Sequence, residues 1–108
     1  MLNYTEYGTA TDAPALLIVH GLFGSGRNWG VIAKRLSDQR HVITVDMRNH
    51  GDSPRAQSQS YPEMATDLAE VIRHLGAPMD VCGHSMGGKA AMMLALNHPD
   101  LVNRLVVA

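Results

Sequence analysis

The chain has 108 residues, with 9 Lys and Arg against 10 Asp and Glu and a formal net charge of -1. That length is one domain at most, and the near-zero charge removes the electrostatic case for nucleic acid or an anionic membrane as partner. Hydrophobic residues at 45% and charged ones at 18% are globular values that argue against disorder.

One cysteine, Cys82, excludes an internal disulfide and a multi-cysteine zinc site. By area scaling, a folded chain of this size exposes roughly 6,000 Å² of the ~17,000 Å² exposed when unfolded, so a core can form. The apolar runs are too short to span a bilayer. The start, Met1-Leu2-Asn3-Tyr4-Thr5-Glu6, has neither the basic nor the apolar region of a secretory leader. A soluble, cytoplasmic protein is the expectation.

Residues 2–7 read as a weak edge strand. Residues 15–19, Ala-Leu-Leu-Ile-Val, form a continuous apolar run of strand length, as in a parallel sheet buried on both faces. Trp29, Ile32, Ala33 and Leu36 then fall at i, i+3, i+4, i+7 and predict one apolar helix face. Residues 41–45 are a second buried strand. A polar stretch from Asp46 to Ser60 follows, long enough for a functional loop.

Met64, Leu68, Val71, Ile72 and Leu75 predict a longer helix. It opens on Ser60-x-x-Glu63 with Pro62 in its first turn and closes at Gly76. Residues 79–82 make a third, weaker strand. Residues 86–97, rich in Ala, Met and Leu, predict a largely buried helix, and residues 104–108 a fourth strand in the core series. Short apolar runs alternating with helical stretches, without repeat or linker, give an α/β domain.

The sharpest local signal is Gly83-His84-Ser85-Met86-Gly87, a G-x-S-x-G directly after a strand and directly before a helix. In that context the motif is a nucleophile elbow: the turn lifts the Ser85 hydroxyl above the sheet, and glycines leave room for a strained backbone. The helix N-terminus offers free N–H groups to a developing oxyanion. Acyl transfer needs two such donors. Met86, following the serine, supplies one, and the loop His20-Gly21-Leu22-Phe23-Gly24-Ser25 supplies the other through Leu22, with Phe23 the next candidate. His20 reads as a loop-holding residue rather than a general base.

His20-Gly21 after one strand, Asp46-Met47-Arg48-Asn49-His50-Gly51-Asp52-Ser53-Pro54 after the next and Gly83-His84-Ser85-Met86-Gly87-Gly88-Lys89 after the third resemble the α/β-hydrolase superfamily. The Arg-Asn-His-Gly-Asp-Ser form is similar to that of small bacterial carboxylesterases. The resemblance implies a mostly parallel sheet with helices on both faces, residues 1–108 being the N-terminal part of a single hydrolase domain. It implies Ser85 as nucleophile, Met86 and Leu22 as oxyanion donors, and Asp46 to Pro54 as a structural turn. The substrate class implied is small acyl esters or acyl thioesters, with no cofactor or metal.

On this fold the acid and the histidine follow the serine in the chain. After Ser85 come only Lys89, His98, Asp100 and Arg104. His98 lies at the far end of the helix that Ser85 opens, roughly 18–20 Å away at 1.5 Å per residue, against the ~3 Å a general base needs. Asp100 fails the same test. His84 is expected to point away from the serine by strand alternation. The acid and base are therefore expected to be missing from this chain, and the last strand to form an unpaired edge. Marginal stability or aggregation is expected; a cooperative thermal transition with monomeric elution would contradict it.

Two other readings stand beside this one. A non-catalytic hydrolase remnant, or half of a complementing pair, fits the missing acid and base. Gly83-x-x-x-x-Gly88-Lys89-Ala90 also comes close to a phosphate-binding Walker A loop, but Ala90 has no hydroxyl for Mg²⁺. Gly24-Ser25-Gly26 imitates a dinucleotide fingerprint whose third glycine position is Trp29. Cys82 reads as a packing residue, and Met86 and Met92 as candidates for an acyl pocket.

Overall fold

A computed structural model describes all 108 residues. Five strands, β1 (Tyr4–Tyr7), β2 (Leu16–Val19), β3 (Val42–Val45), β4 (Met79–Gly83) and β5 (Val102–Val107), form one sheet in the order β1-β3-β2-β4-β5. β1 runs antiparallel to β3, and every other pairing is parallel. The helices are α1 (Gly30–Leu36), α2 (Tyr61–Leu75) and α3 (Met86–Asn97), with 3-10 turns at Gly26–Trp29 and Pro99–Leu101.

β3 is buried at all four positions, and Leu17 to Val19 of β2 likewise, because helices cover both faces of the sheet. On one side α2 and α3 close a core of nineteen buried residues around Leu17, Val19, Ile43, Val45 and Val81. On the other, α1 packs Ala33 against Ile18 and Val42, with Trp29 and Tyr7 at the margin. The accessible surface is 5911 Å², in line with the area-scaling expectation.

α2 follows its sequence pattern closely. Glu63 N–H donates to Ser60 Oγ at 3.3 Å, the Ser60 hydroxyl donates to Glu63 Oε1 at 2.8 Å, and Gly76 ends the helix at φ 122°. Its inward positions Met64, Ala65, Leu68, Ala69, Val71 and Ile72 are all buried.

Two helices depart from expectation. α1 buries only Ala33 of its seven residues and leaves Ile32 47% and Leu36 38% exposed. The preceding 3-10 turn takes up Trp29, so the apolar face is shorter than its periodicity implied. α3 buries Ala90, Ala91 and Leu94 but exposes Met92 and Leu96. It lies on the sheet with one face rather than inside the core. β5 is an edge strand, paired only with β4, and Val106 and Val107 are exposed on it.

Register decides where chemistry can sit. Val19 pairs with Val45 on one side and with Gly83 on the other. The three central strands thus end level with one another, and the segments starting at His20, Asp46 and His84 leave the sheet along the same edge. In an open parallel sheet that carboxyl edge is where ligands bind.

Candidate active site

Ser85 stands between the end of β4 and the first residue of α3, with φ 55° and ψ -116°. A non-glycine residue in this region carries about 1–3 kcal/mol of strain and persists only where its surroundings hold it. The glycines show how it is held. A β-carbon on Gly83 would lie 2.5 Å from Gly87 O, and one on Gly87 would lie 2.3 Å from Val19 O and 2.5 Å from His20 O. Strand, turn and helix are in backbone contact, and Ser85 is pushed out into solvent.

The amides of the turn are mostly consumed by the chain. His84 N–H donates to Val19 O, Ser85 N–H to Ala108 O, Gly87 N–H to His84 O and Lys89 N–H to Ser85 O. Met86 N–H and Gly88 N–H have no acceptor in the chain. A phosphate cradle needs a run of free amides, and this turn has too few, so the geometry opposes the Walker A reading. Lys89 is an exposed residue of the first helical turn.

Opposite the elbow lies the loop from His20 to Ser25. A β-carbon on Gly21 would lie 3.3 Å from Ser85 Cβ, so the two segments touch. Leu22 N–H also has no acceptor in the chain, whereas Phe23 N–H donates to His50 Nε2 at 3.1 Å. Of the two candidate donors in this loop, Leu22 is the free one and Phe23 is engaged. Phe23 has φ 63° and is 91% exposed.

Ser85 and Leu22 separate two depressions. One, of about 490 Å³, is lined by Phe23, Trp29, Ile32 and His84 among others. The other, of about 310 Å³, is lined by Gln59, Tyr61, Met64, Met86 and Lys89. Met86 therefore borders the site. Met92, the other candidate for an acyl pocket, lines neither depression. His84 lines the larger depression with Ser85, because strand alternation stops applying once the chain turns at Gly83. Its ring packs against Trp29 at 6.0 Å.

No histidine hydrogen-bonds Ser85, and four of the six are bonded elsewhere. His41 contacts Glu6 at 2.9 Å, His74 packs against Tyr4, and His98 lies 3.4 Å from Arg73 at the far end of α3. His20 Nδ1–H donates to Gly21 O at 2.7 Å, and its Nε2 accepts from Met47 N–H at 2.9 Å. His50 Nδ1–H donates to Arg48 O at 2.8 Å while its Nε2 accepts from Phe23. Burial holds the His20 pKa below its ordinary 6.5, with the neighbouring His50 acting in the same direction, which keeps Nε2 free to accept. No group of three His, Cys, Asp or Glu side chains is arranged to hold a metal ion.

The turn after β3 is organised by Asp46. Its Oδ1 accepts from Gly26 N–H at 2.8 Å, and its Oδ2 from Asn3 Nδ2 at 2.9 Å and Asp52 N–H at 3.0 Å. Burial alone would raise its pKa, but the donors from Asp52, Asn3 and Gly26 outweigh burial and hold it below the ordinary value. Gly51, at φ 48°, has no room for a β-carbon, which would lie 2.4 Å from Asp46 Cγ. Arg48 then fixes the turn to α2 through both carboxylate oxygens of Asp67 and through Glu63.

Sequence reading missed Asp46 as an anchor and His50 as a partner of Phe23. The only signal for the first was an acidic residue at a strand end followed by Gly51-Asp52. Cys82 is half-buried in β4 and burial pushes its thiol pKa up, as suits a packing residue.

A family model described as alpha/beta hydrolase fold matches residues 14–108. The chain belongs to the alpha/beta hydrolase family. It is 52% identical over 109 residues to a Mus musculus protein named sn-1-specific diacylglycerol lipase ABHD11, covering 98% of this chain and 36% of that one. It is 45% identical over 93 residues to the Escherichia coli K12 protein named esterase YbfF, covering 84% of this chain and 36% of the relative.

Among solved structures, a marine microorganism esterase superposes with a TM-score of 0.92 at 45% identity, over 98% of this chain and 40% of that one. The chain thus spans little more than a third of the length of these hydrolase relatives. No helix is long and apolar enough to cross a membrane.

Proposed function

We propose that this alpha/beta hydrolase chain carries the nucleophile and oxyanion hole of a serine carboxylesterase that works through an acyl-enzyme. The observation that carries the reading is the left-handed backbone of Ser85, exposed between strand and helix and flanked by the unengaged amides of Met86 and Leu22. Relatives named as an esterase and a lipase support the reaction class.

In the first step Ser85 Oγ bonds to the carbonyl carbon of an ester or thioester, and the carbonyl π pair moves onto oxygen. The N–H groups of Leu22 and Met86 hold that charge. When the tetrahedral species collapses, the alcohol or thiol leaves and Ser85 is acylated; water then attacks the acyl-serine and frees the acid. Leu22, Phe23, Trp29 and Ile32 give the larger depression an apolar wall, suited to a short acyl group. The proton of Ser85 needs a base, and none of the six histidines hydrogen-bonds Ser85. Acid and base are supplied from outside these 108 residues, and without them Ser85 is a weak nucleophile.

Incubation with p-nitrophenyl acetate at alkaline pH tests this. Mass spectrometry is expected to find a single acetyl group on the peptide containing Ser85, accumulating because hydrolysis of the acyl-serine lacks its base. Ser85→Ala is expected to abolish the label and to bring nitrophenol release down to the background rate. A label elsewhere, or release unaffected by the substitution, refutes the serine assignment. It would favour the non-catalytic reading of the chain.

A further inference from the structure

The peptide planes on both sides of Leu22 are each held by a histidine. The Gly21–Leu22 peptide carries Gly21 O, which accepts from His20 Nδ1–H at 2.7 Å and from Gly24 N–H at 3.0 Å. Because a trans peptide sets its C=O and N–H in opposite directions, fixing Gly21 O also fixes where Leu22 N–H points. The Leu22–Phe23 peptide carries Phe23 N–H, which donates to His50 Nε2 at 3.1 Å. The two rings lie 5.2 Å apart, and both are buried.

The donor and acceptor roles follow from the partners, since a backbone amide can only donate and a carbonyl only accept. His50 must carry its proton on Nδ1, facing Arg48 O, and its lone pair on Nε2, facing Phe23. The Arg48 carbonyl thereby sets the tautomer that receives Phe23. Phe23 requires such a hold. At φ 63° it is strained, the residue is 91% exposed and supplies little packing, and its amide is anchored by His50.

We propose that His50 is a positioning residue for the oxyanion hole: His20 sets the Gly21–Leu22 peptide, and His50, by accepting the Phe23 amide, holds the next peptide so that the loop cannot turn at Leu22, the two together keeping Leu22 N–H directed at the carbonyl oxygen bound to Ser85. The proposal rests on the serine-esterase reading for the use of Leu22, but the clamp itself is a property of the loop. His50 touches no substrate and acts through Phe23 and Leu22.

Two measurements on the protein in dilute solution separate the clamp from its purpose. The first is amide hydrogen exchange. In the wild type the Phe23 amide is expected to exchange at least about tenfold more slowly than the acceptor-free amide of Leu22 beside it. Equal rates overturn the clamp without any variant being made. His50→Leu is expected to remove the protection at Phe23 while Leu17 and Val81 in the sheet stay protected. His50→Gln, whose amide oxygen can replace the Nε2 acceptor, is expected to restore it. Failure of glutamine to rescue when leucine releases would indicate a packing role and refute positioning.

The second measurement is binding of phenylboronic acid, read by the fluorescence of Trp29, the single tryptophan, which lines the depression beside Ser85. The boron atom bonds to Ser85 Oγ, the serine proton passes to solvent, and the resulting tetrahedral anion needs the same donors as the ester intermediate. Affinity is expected to fall roughly tenfold in His50→Leu, as for a donor moved off its target, and to recover in His50→Gln. Equal affinity in all three proteins overturns the proposal. If boronate at alkaline pH binds none of them while exchange at Phe23 still follows the acceptor, the clamp stands and its use in an oxyanion hole is overturned; the serine-esterase reading is decided separately by acetylation of Ser85.

Discussion

Gly87→Ala is expected to cost about 3 kcal/mol of stability or more, enough to unfold a marginal domain. The added methyl would lie 2.3 Å from Val19 O and 2.5 Å from His20 O. Both are backbone atoms at the end of a buried central strand, where no rotamer change can relieve the clash. α3 would have to lift off the sheet, taking Met86 N–H away from Leu22. Gly30→Ala is the control. Gly30 has helical φ and ψ, and its new methyl would meet only Tyr7 Oη, at an ordinary 3.4 Å, so that variant is expected to be neutral or up to about 1 kcal/mol more stable. Urea denaturation of the two variants decides the matter. A Gly87→Ala chain with wild-type stability would mean that strand, turn and helix are not in backbone contact, and the elbow geometry would fall with it.

The difference between what the sequence showed and what it hid is one of range. α2 was legible because its start, its apolar stripe and its stop all lie within one window, and Ser60, Pro62 and Gly76 act on their immediate neighbours. The strained turn at Ser85 was legible for the same reason, since Gly83, Ser85 and Gly87 constrain one another over five residues. His50 was not, because the group it serves is 27 residues earlier in the chain. Its own segment offers no periodicity to interpret, only a polar loop. Asp46 was hidden likewise, with donors from Asn3, Gly26 and Asp52 spread over three segments. The expectation of a largely buried α3 went astray because composition cannot say which side of a helix meets the sheet. Ala90, Ala91 and Leu94 do so, and Leu96 does not.

Asp46→Asn is expected to lower stability by about 2–4 kcal/mol at neutral pH and to change its acid dependence. The substituted amide can present only one oxygen, so of the donors now facing two carboxylate oxygens, at least one would oppose an NH₂ group. Gly26 N–H, directly after the loop from His20 to Ser25, donates to this carboxylate, so the loss is expected to reach the candidate site as well as the turn. The sign of the pH effect follows from the folded-state pKa. Asp46 is held below its ordinary 3.8 because its amide donors outweigh the opposing effect of burial. Its contribution is therefore complete above about 3.8 and is lost as the pH falls through the lower, folded value. His20 acts higher on the scale. Burial lowers its pKa below 6.5, so the unfolded chain takes up the proton first, and stability declines as the pH drops below 6.5. Unfolding free energy measured from pH 7.5 to 3 is thus expected to fall gently from about pH 6.5 and steeply below about pH 4. In Asp46→Asn the upper decline should remain while the lower one becomes shallower. A residual slope there belongs to Asp80, held low by Arg40 and Asn103 against the effect of its burial, and to Glu63, held at about 2 by Ser58 and Ser60. An unchanged lower limb would mean that Asp46 gains nothing from its three donors, and that the turn after β3 is anchored by Arg48 instead.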